Sequence, residues 1–346
     1  MPTPANQNPV TPRIALALGD PSGIGPELVA RLLADDEVRE RAGIVVIGDD
    51  WALRRGAEIA ACEPRLEPVT SLDGLCPRPG EPLFHDARAT RASDIEPATA
   101  SESGGRAALT SLGLALRLAR SGDVDAITFA PLNKQALHLA GYGFEDELHW
   151  FVHELGHEGP ACELNVMGDL WTSRVTSHVA LKEVAGLIDE GAILRAIDLA
   201  DRTLRRAGVE RPRIGVAALN PHAGDGGIFG REEIDVIAPA VAHAQRKQIA
   251  VQGPFPSDTV FIKARDGAFD AVVTMYHDQG QIAMKLMGFE RGVTVQGGLP
   301  IPITTPAHGT AFDIVGKGVA NPQAIRQAFF LAAEMGERAA ADRRPA

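Results

Sequence analysis

Cysteine is scarce in this chain: Cys62, Cys76 and Cys162 are three in 346 residues, odd in number and without CxxC spacing. That excludes a disulfide framework and a cysteine-built zinc module, and leads us to expect reduced thiols in a reducing compartment. Positive charge is short as well. Lys and Arg number 34 against 45 Asp and Glu, a formal net charge of −11. Nonspecific nucleic-acid binding needs a basic face and is excluded, although a local cationic cluster can still receive an anionic small molecule. No apolar run approaches the roughly 18–20 residues of a membrane span. The first residues, MPTPANQNPVTPR, lack an apolar signal core and read as a disordered lead-in. A soluble, cytoplasmic protein is expected, with no internal repeat and no low-complexity segment.

The length allows two domains or one large α/β unit. Short apolar runs that read as strands occur at 14–18, 43–48, 125–129, 174–178, 213–219 and 271–273. Between them, helical periodicity marks 26–33, 53–61, 102–118, 134–139, 192–207, 234–245 and 322–341, and 63–97 reads as Pro-rich with short edge strands. Strands alternating with helices imply an α/β fold of mostly parallel sheets with helices on both faces, where ligands bind beyond the strands' C-terminal ends. The expected architecture is two α/β/α domains, residues 1–135 plus 300–346 and residues 136–299, with a cleft between them.

The residues just past the strands carry the chemistry. Asp20, Asn133, His178, Asn220 and His277 all follow closely on strand-like runs. His277-Asp278, after Ala271-Val272-Val273, has the character of a metal or acid/base site. A second strand-end histidine, His178, offers a partner ligand, and a divalent ion needs a third. The segment Glu145-Asp146-Glu147-Leu148-His149 is the evident source. Lys134 and Lys285 are candidates for gripping an anion or moving a proton. The final loop, from His308-Gly309-Thr310-Ala311-Phe312-Asp313 to Gly318, has the glycines and single acid that wrap a dinucleotide, with Asp313 placed to accept from a ribose. His153-Glu154-Leu155-Gly156-His157 matches HExxH literally, but Gly159 and Pro160 end the helix too soon for a zinc protease.

In order, GDPSGIGPE, APLNK, TSH, LNPHAGDGG, SDT, YHDQG and HGTAFDIVGKG run from Gly19 to Gly318. Together they resemble the 4-hydroxythreonine-4-phosphate dehydrogenase family over nearly the whole chain. The last motif, with Ala320-Asn321-Pro322, is similar to the cofactor loop of isocitrate and isopropylmalate dehydrogenases. The resemblance implies an NAD- or NADP-dependent dehydrogenase of 3-hydroxy acids, often decarboxylating. It also implies a divalent metal (Zn, Mg, Mn, Co or Ni) held by three histidines, and a homodimer with a shared active site.

Carried over by motif, His178 and His277 are metal ligands and the third falls on Glu147 or His149, because Asp146-Glu147-Leu148-His149 stands where the family has Gly-His-Thr-Glu. Glu147 would favour Mg²⁺ or Mn²⁺. Gly309, Ala311, Asp313 and Asn321, with His308, are assigned to the cofactor. Asp20, Asn133, Asn220, Asp258 and Thr294 are assigned to substrate, and Lys134, Asp278 and Lys285 to catalysis. The family's LPxxRTS arginine, an anion clamp, falls on Ile303, and Thr294 stands where Asn is usual. These departures point away from phosphorylated hydroxythreonine, toward another hydroxy acid or an aromatic cis-dihydrodiol carboxylate. A metal-dependent lyase or hydrolase without NAD is the alternative outside redox chemistry.

Overall fold

The structure, a computed structural model, describes residues 11–343. Residues 1–10 of the expected lead-in and the last residues of the charged tail lie outside the described residues; Arg13, read as the end of that lead-in, instead opens the first strand. Among those described, the strands are β1 (Arg13–Ala17), β2 (Gly43–Gly48), β3 (Glu67–Val69), β4 (Leu83–Asp86), β5 (Ala126–Phe129), β6 (Cys162–Met167), β7 (Leu170–Arg174), β8 (Ile214–Ala217), β9 (Val251–Phe255), β10 (Ala271–Thr274), β11 (Val293–Gly297) and β12 (Ile303–Pro306). The chain divides into two compact units. One comprises Met1–Gly143, Ile301–Thr305 and Gly309–Ala346, and the other Phe144–Pro300 with Pro306–His308.

The first unit carries the strand order β3-β4-β2-β1-β5-β12, parallel throughout. Its central strands read as unbroken apolar runs because both faces are covered: Ile14, Leu16 and Ala17 are fully buried, as are Val45, Val46 and Ile47. Helix Gly25–Ala34 starts with Pro26 in its first turn, where a missing N–H costs nothing. It buries Leu28, Val29, Leu32 and Leu33 against the sheet. Helix Glu102–Ser121 is capped by the Ser101 hydroxyl, which accepts from Gly104 N–H at 3.1 Å. Gly105 is required there, since a Cβ would lie 2.0 Å from the Ala136 carbonyl oxygen.

The second unit runs β11-β6-β7-β10-β8-β9. β7, β10, β8 and β9 are parallel, while β6 is antiparallel to both neighbours. Two sequence readings shift here. The run at 174–178 is not a strand: β7 stops at Arg174, and His178 lies four residues beyond it in a loop. Strands β6, β9 and β11 also lie outside the runs read as strands; in β6, Cys162–Met167, apolar and polar residues alternate, a strand signal left unused. The helix over the HExxH match ends at Leu155, with Gly156 left-handed at φ 57° as its C-cap. His157 is therefore off the helix, and the two histidines share no helical face.

Candidate functional site

Three loops of the second unit leave neighbouring parallel strands on the same side, and hydrogen bonds join them to one another. After β7, Val175 N–H donates to the Thr274 carbonyl at 2.8 Å, and Thr176 donates to the Met275 carbonyl from both its N–H (3.1 Å) and its hydroxyl (2.8 Å). Gln279 bridges to the next strand: its Oε1 accepts from Met275 N–H at 2.7 Å, and its Nε2 donates to the Ala218 carbonyl just past β8 at 2.8 Å. This lacing brings the TSH and YHDQG loops face to face. The His178 and His277 rings lie 5.6 Å apart, centre to centre.

Each imidazole is held through the same nitrogen. His178 Nδ1 meets Glu145 Oε1 at 2.9 Å, and His277 Nδ1 meets Asp278 Oδ1 at 2.7 Å. A carboxylate on Nδ1 fixes a ring's orientation and leaves Nε2 as the ligand atom, the usual outer arrangement of metal-binding histidines. Ligand atoms of Glu145, Asp146 and His178 lie within 4.8 Å of one another. Glu147 and His149 are outside that cluster. His149 is instead engaged by its own helix start. Asp146, the cap of helix Glu147–Leu155, accepts from His149 N–H at 3.0 Å and contacts His149 Nδ1 at 2.6 Å.

One histidine that sequence reading passed over stands on the third loop. His222 follows β8, the strand beside β10, and the order β7-β10-β8 sets His178, His277 and His222 beyond three adjacent strands. Residues His222 to Gly226 are all left-handed, with φ between 43° and 77°. Left-handed backbone costs a non-glycine residue roughly 1–2 kcal/mol and persists at functional sites when its surroundings over-determine it. Here the over-determination comes from Glu233, 3% exposed. Its Oε1 accepts from Leu219 and Asn220 N–H at 2.9 and 2.7 Å, and its Oε2 accepts from Asn220 Nδ2 at 3.0 Å. A Cβ on Gly224 would meet that Oε2 at 2.7 Å. Asn220, read as a substrate contact, also donates to Glu232 at 2.7 Å, so its amide braces the loop. The signal that could have exposed His222 was its position in LNPHAG, just past a strand.

The remaining second-unit candidates lie on other segments. Thr294 is buried on β11 and its hydroxyl accepts from Asn165 Nδ2 at 3.2 Å. Asp258 is exposed in the first turn of helix Ser257–Arg265, and Lys285 is exposed near the end of helix His277–Gly288. His308, half-buried, belongs to the short segment Pro306–His308 of this unit.

In the first unit, three loops past β1, β5 and β12 meet. Asp20 N–H donates to the Pro131 carbonyl at 3.1 Å, Ile24 N–H to the Thr310 carbonyl at 3.1 Å, and Asn133 Nδ2 reaches Thr310 Oγ1 at 3.5 Å. Asn133 also caps helix Lys134–Leu139, leaving Lys134 exposed at its start. Asp20 is 1% exposed. Its Oδ1 accepts from Ser22 N–H and hydroxyl at 2.9 and 2.6 Å, while Oδ2 has no hydrogen-bond partner among the described residues. Burial raises its carboxyl above the ordinary aspartate range, against the lowering effect of the Ser22 bonds. The end of the final loop is anchored by buried Glu27, which accepts from Ala320 N–H at 3.1 Å, and by Arg31, which donates to the Gly318 carbonyl at 2.6 Å. Within that loop Ala311 is left-handed at φ 44°, and Asp313 is exposed. Ile303 is fully buried in β12 beside Ile127, a core residue and not an anion clamp.

The sequence matches the family described as pyridoxal phosphate biosynthetic protein PdxA over residues 40–332. A Pseudomonas aeruginosa protein provisionally named 4-hydroxythreonine-4-phosphate dehydrogenase 2 is 59% identical over 334 residues, covering 96% of this chain and 99% of that protein. The D-threonate 4-phosphate dehydrogenase of Salmonella typhimurium is 37% identical, covering 94% of this chain and 99% of its own. The crystal structure of a 4-hydroxythreonine-4-phosphate dehydrogenase from Klebsiella pneumoniae superposes with a TM-score of 0.82 at 36% identity, over 96% of this chain and 100% of that one. With this fold, its strand-end histidines and these relatives, the chain belongs to the PdxA family and is a dehydrogenase acting on a CH–OH group.

Proposed function

We propose that the protein oxidises the hydroxyl of a 3-hydroxy acid, with NAD or NADP as hydride acceptor and a divalent metal ion held by His178, His277 and His222. The observation that carries this reading is the set of three histidines beyond adjacent strands, two of them with Nδ1 tied to a carboxylate and Nε2 left as the ligand atom. The donor set fits an ion: neutral imidazoles suit Zn, Co or Ni, and Glu145 and Asp146 alongside would also suit Mn or Mg. His222 replaces Glu147 and His149 as the third ligand in this proposal. When bound, the ion would lower the pKa of a coordinated hydroxyl, and the nicotinamide would accept its hydride.

The chain's own residues would do the rest. Asp278 and Glu145 orient the imidazoles. Lys134, whose side chain makes no hydrogen bond or ion pair among the described residues, is the candidate for the hydroxyl proton, which it can accept only in its neutral amine form. In the final loop, the Asp313 carboxylate is equally uncommitted and exposed, as ribose recognition requires. Gly309 is open, with no atom within 4 Å of an added Cβ.

A homodimer is part of the proposal. Leu181, Ile228, Ile282 and Leu286 of the second unit are 61–84% exposed, apolar surface that a second copy would cover. Chelator-stripped protein should lose turnover of hydroxy acids, regain it with a divalent ion, and bind NAD(H) by fluorescence titration. Full activity without metal would refute the reading, and metal-dependent turnover without NAD(H) binding would mark a lyase instead. A screen including dihydrodiol carboxylates would assign the substrate and any decarboxylation.

A further inference from the structure

Ile303, fully buried, stands where the family resemblance places an anion-gripping arginine, so an anionic substrate needs another cation. The second unit holds a cavity of about 380 Å³ whose walls include Asp146, His149, Arg174, Ser177 and Arg195. Asp146 and Ser177 tie it to the histidine cluster, since Asp146 belongs to the ligand group of His178 and Ser177 directly precedes that residue.

The two arginines differ in availability. Arg174 is 8% exposed, and its guanidinium is fully engaged: Nε donates to Ser177 Oγ at 2.9 Å, Nη1 to Asn165 Oδ1 at 3.3 Å and Nη2 to Glu163 Oε2 at 3.0 Å. Its charge is neutralised by Glu163. Arg195, on helix Glu190–Arg206, is exposed to the cavity and enters no hydrogen bond or ion pair among the described residues. His149, also lining the cavity, has Nδ1 committed to Asp146, which leaves its Nε2 for a ligand. An uncommitted planar guanidinium beside a chamber of this size is suited to a bidentate oxyanion, carboxylate or phosphate.

We propose that Arg195 grips the anionic end of the substrate, taking the role that Ile303 cannot fill, so that specificity for the acid's tail is set in this cavity. The proposal rests on the hydroxy-acid dehydrogenase reading above. Loss of a charge-assisted bidentate contact should raise KM about 10- to 100-fold and lower kcat far less. The variants are Arg195→Gln and Arg195→Lys, assayed with a 4-phosphorylated hydroxy acid and its phosphate-free counterpart. Gln should show the full KM rise, and Lys should recover part of it. A rise confined to the phosphorylated substrate identifies phosphate as the group held, and an equal rise on both identifies the carboxylate. Unchanged KM for Arg195→Gln on every substrate turned over by wild type overturns the proposal and leaves the dehydrogenase reading intact. If wild type oxidises no hydroxy acid, that reading fails. Thermal-shift titration with inorganic phosphate and with malonate then decides on Arg195 alone: stabilisation of wild type but not of Arg195→Gln supports the anion site, and equal response of both refutes it.

Discussion

Replacing Glu233 by Gln should release the left-handed loop that carries His222. Glutamine is isosteric, so Oε1 can keep accepting from Leu219 and Asn220 N–H. Those two bonds lose their charge assistance, about 1 kcal/mol together. At the other oxygen the change is worse, because an NH₂ group would face Asn220 Nδ2 at 3.0 Å, donor against donor. An unsatisfied buried donor costs about 1–3 kcal/mol. The sum, about 2–4 kcal/mol, falls on the loop first, since opening it relieves both the clash and the strain at His222, Ala223 and Asp225. Native-state hydrogen exchange is the assay. At tenfold per 1.4 kcal/mol, the Leu219 and Asn220 amides should exchange roughly 30- to 1000-fold faster. Protection within threefold of wild type at both amides would refute the claim that Glu233 holds the loop. Metal affinity should fall in the same variant if His222 is a ligand.

Further outcomes follow from the same geometry. His178→Ala, His277→Ala and His222→Ala should each lower bound divalent metal and abolish turnover while leaving far-UV circular dichroism unchanged, with metal content read by elemental analysis. Arg174→Met should destabilise the chain by about 3 kcal/mol in urea titration, because Glu163, half-buried, would lose the partner of its charge. Asp20 is held above its unfolded pKa by burial, so the folded state binds its proton more tightly than the unfolded state does. Its contribution is therefore full below the ordinary aspartate pKa of about 3.9 and is lost as pH rises through the folded value. Asp20→Asn, whose amide oxygen can still accept from Ser22, should flatten stability against pH above about 4; an unchanged profile would reject the assignment. Asp313→Ala should weaken NAD binding about tenfold, measured by fluorescence titration.

The α/β class, the parallel strands of the first unit and the strand-end positions of Asp20, Asn133 and His277 were legible because they are local. Apolar runs such as Ile44–Ile47 must be covered on both faces, and helix starts such as Ser101 and Pro26 carry their own chemistry. The ordered motifs likewise pointed to the dehydrogenase family that the relatives bear out. Tertiary structure decided what depends on neighbours in space. β6 carried a local signal that went unread, the alternation of Cys162–Met167; what the sequence did not hold was its pairing with β7 on one side and distant β11 on the other. The closeness of His178 and His277 depends on Thr176 and Gln279 lacing β7, β10 and β8 together, a strand order that periodicity does not encode. The place of His222 depends on a left-handed turn braced by buried Glu233, eleven residues away. Alternation and periodicity report which face of a segment is buried; which strand lies beside which is settled only when the sheet closes its long-range hydrogen bonds, and in this chain that adjacency brings the candidate ligands together.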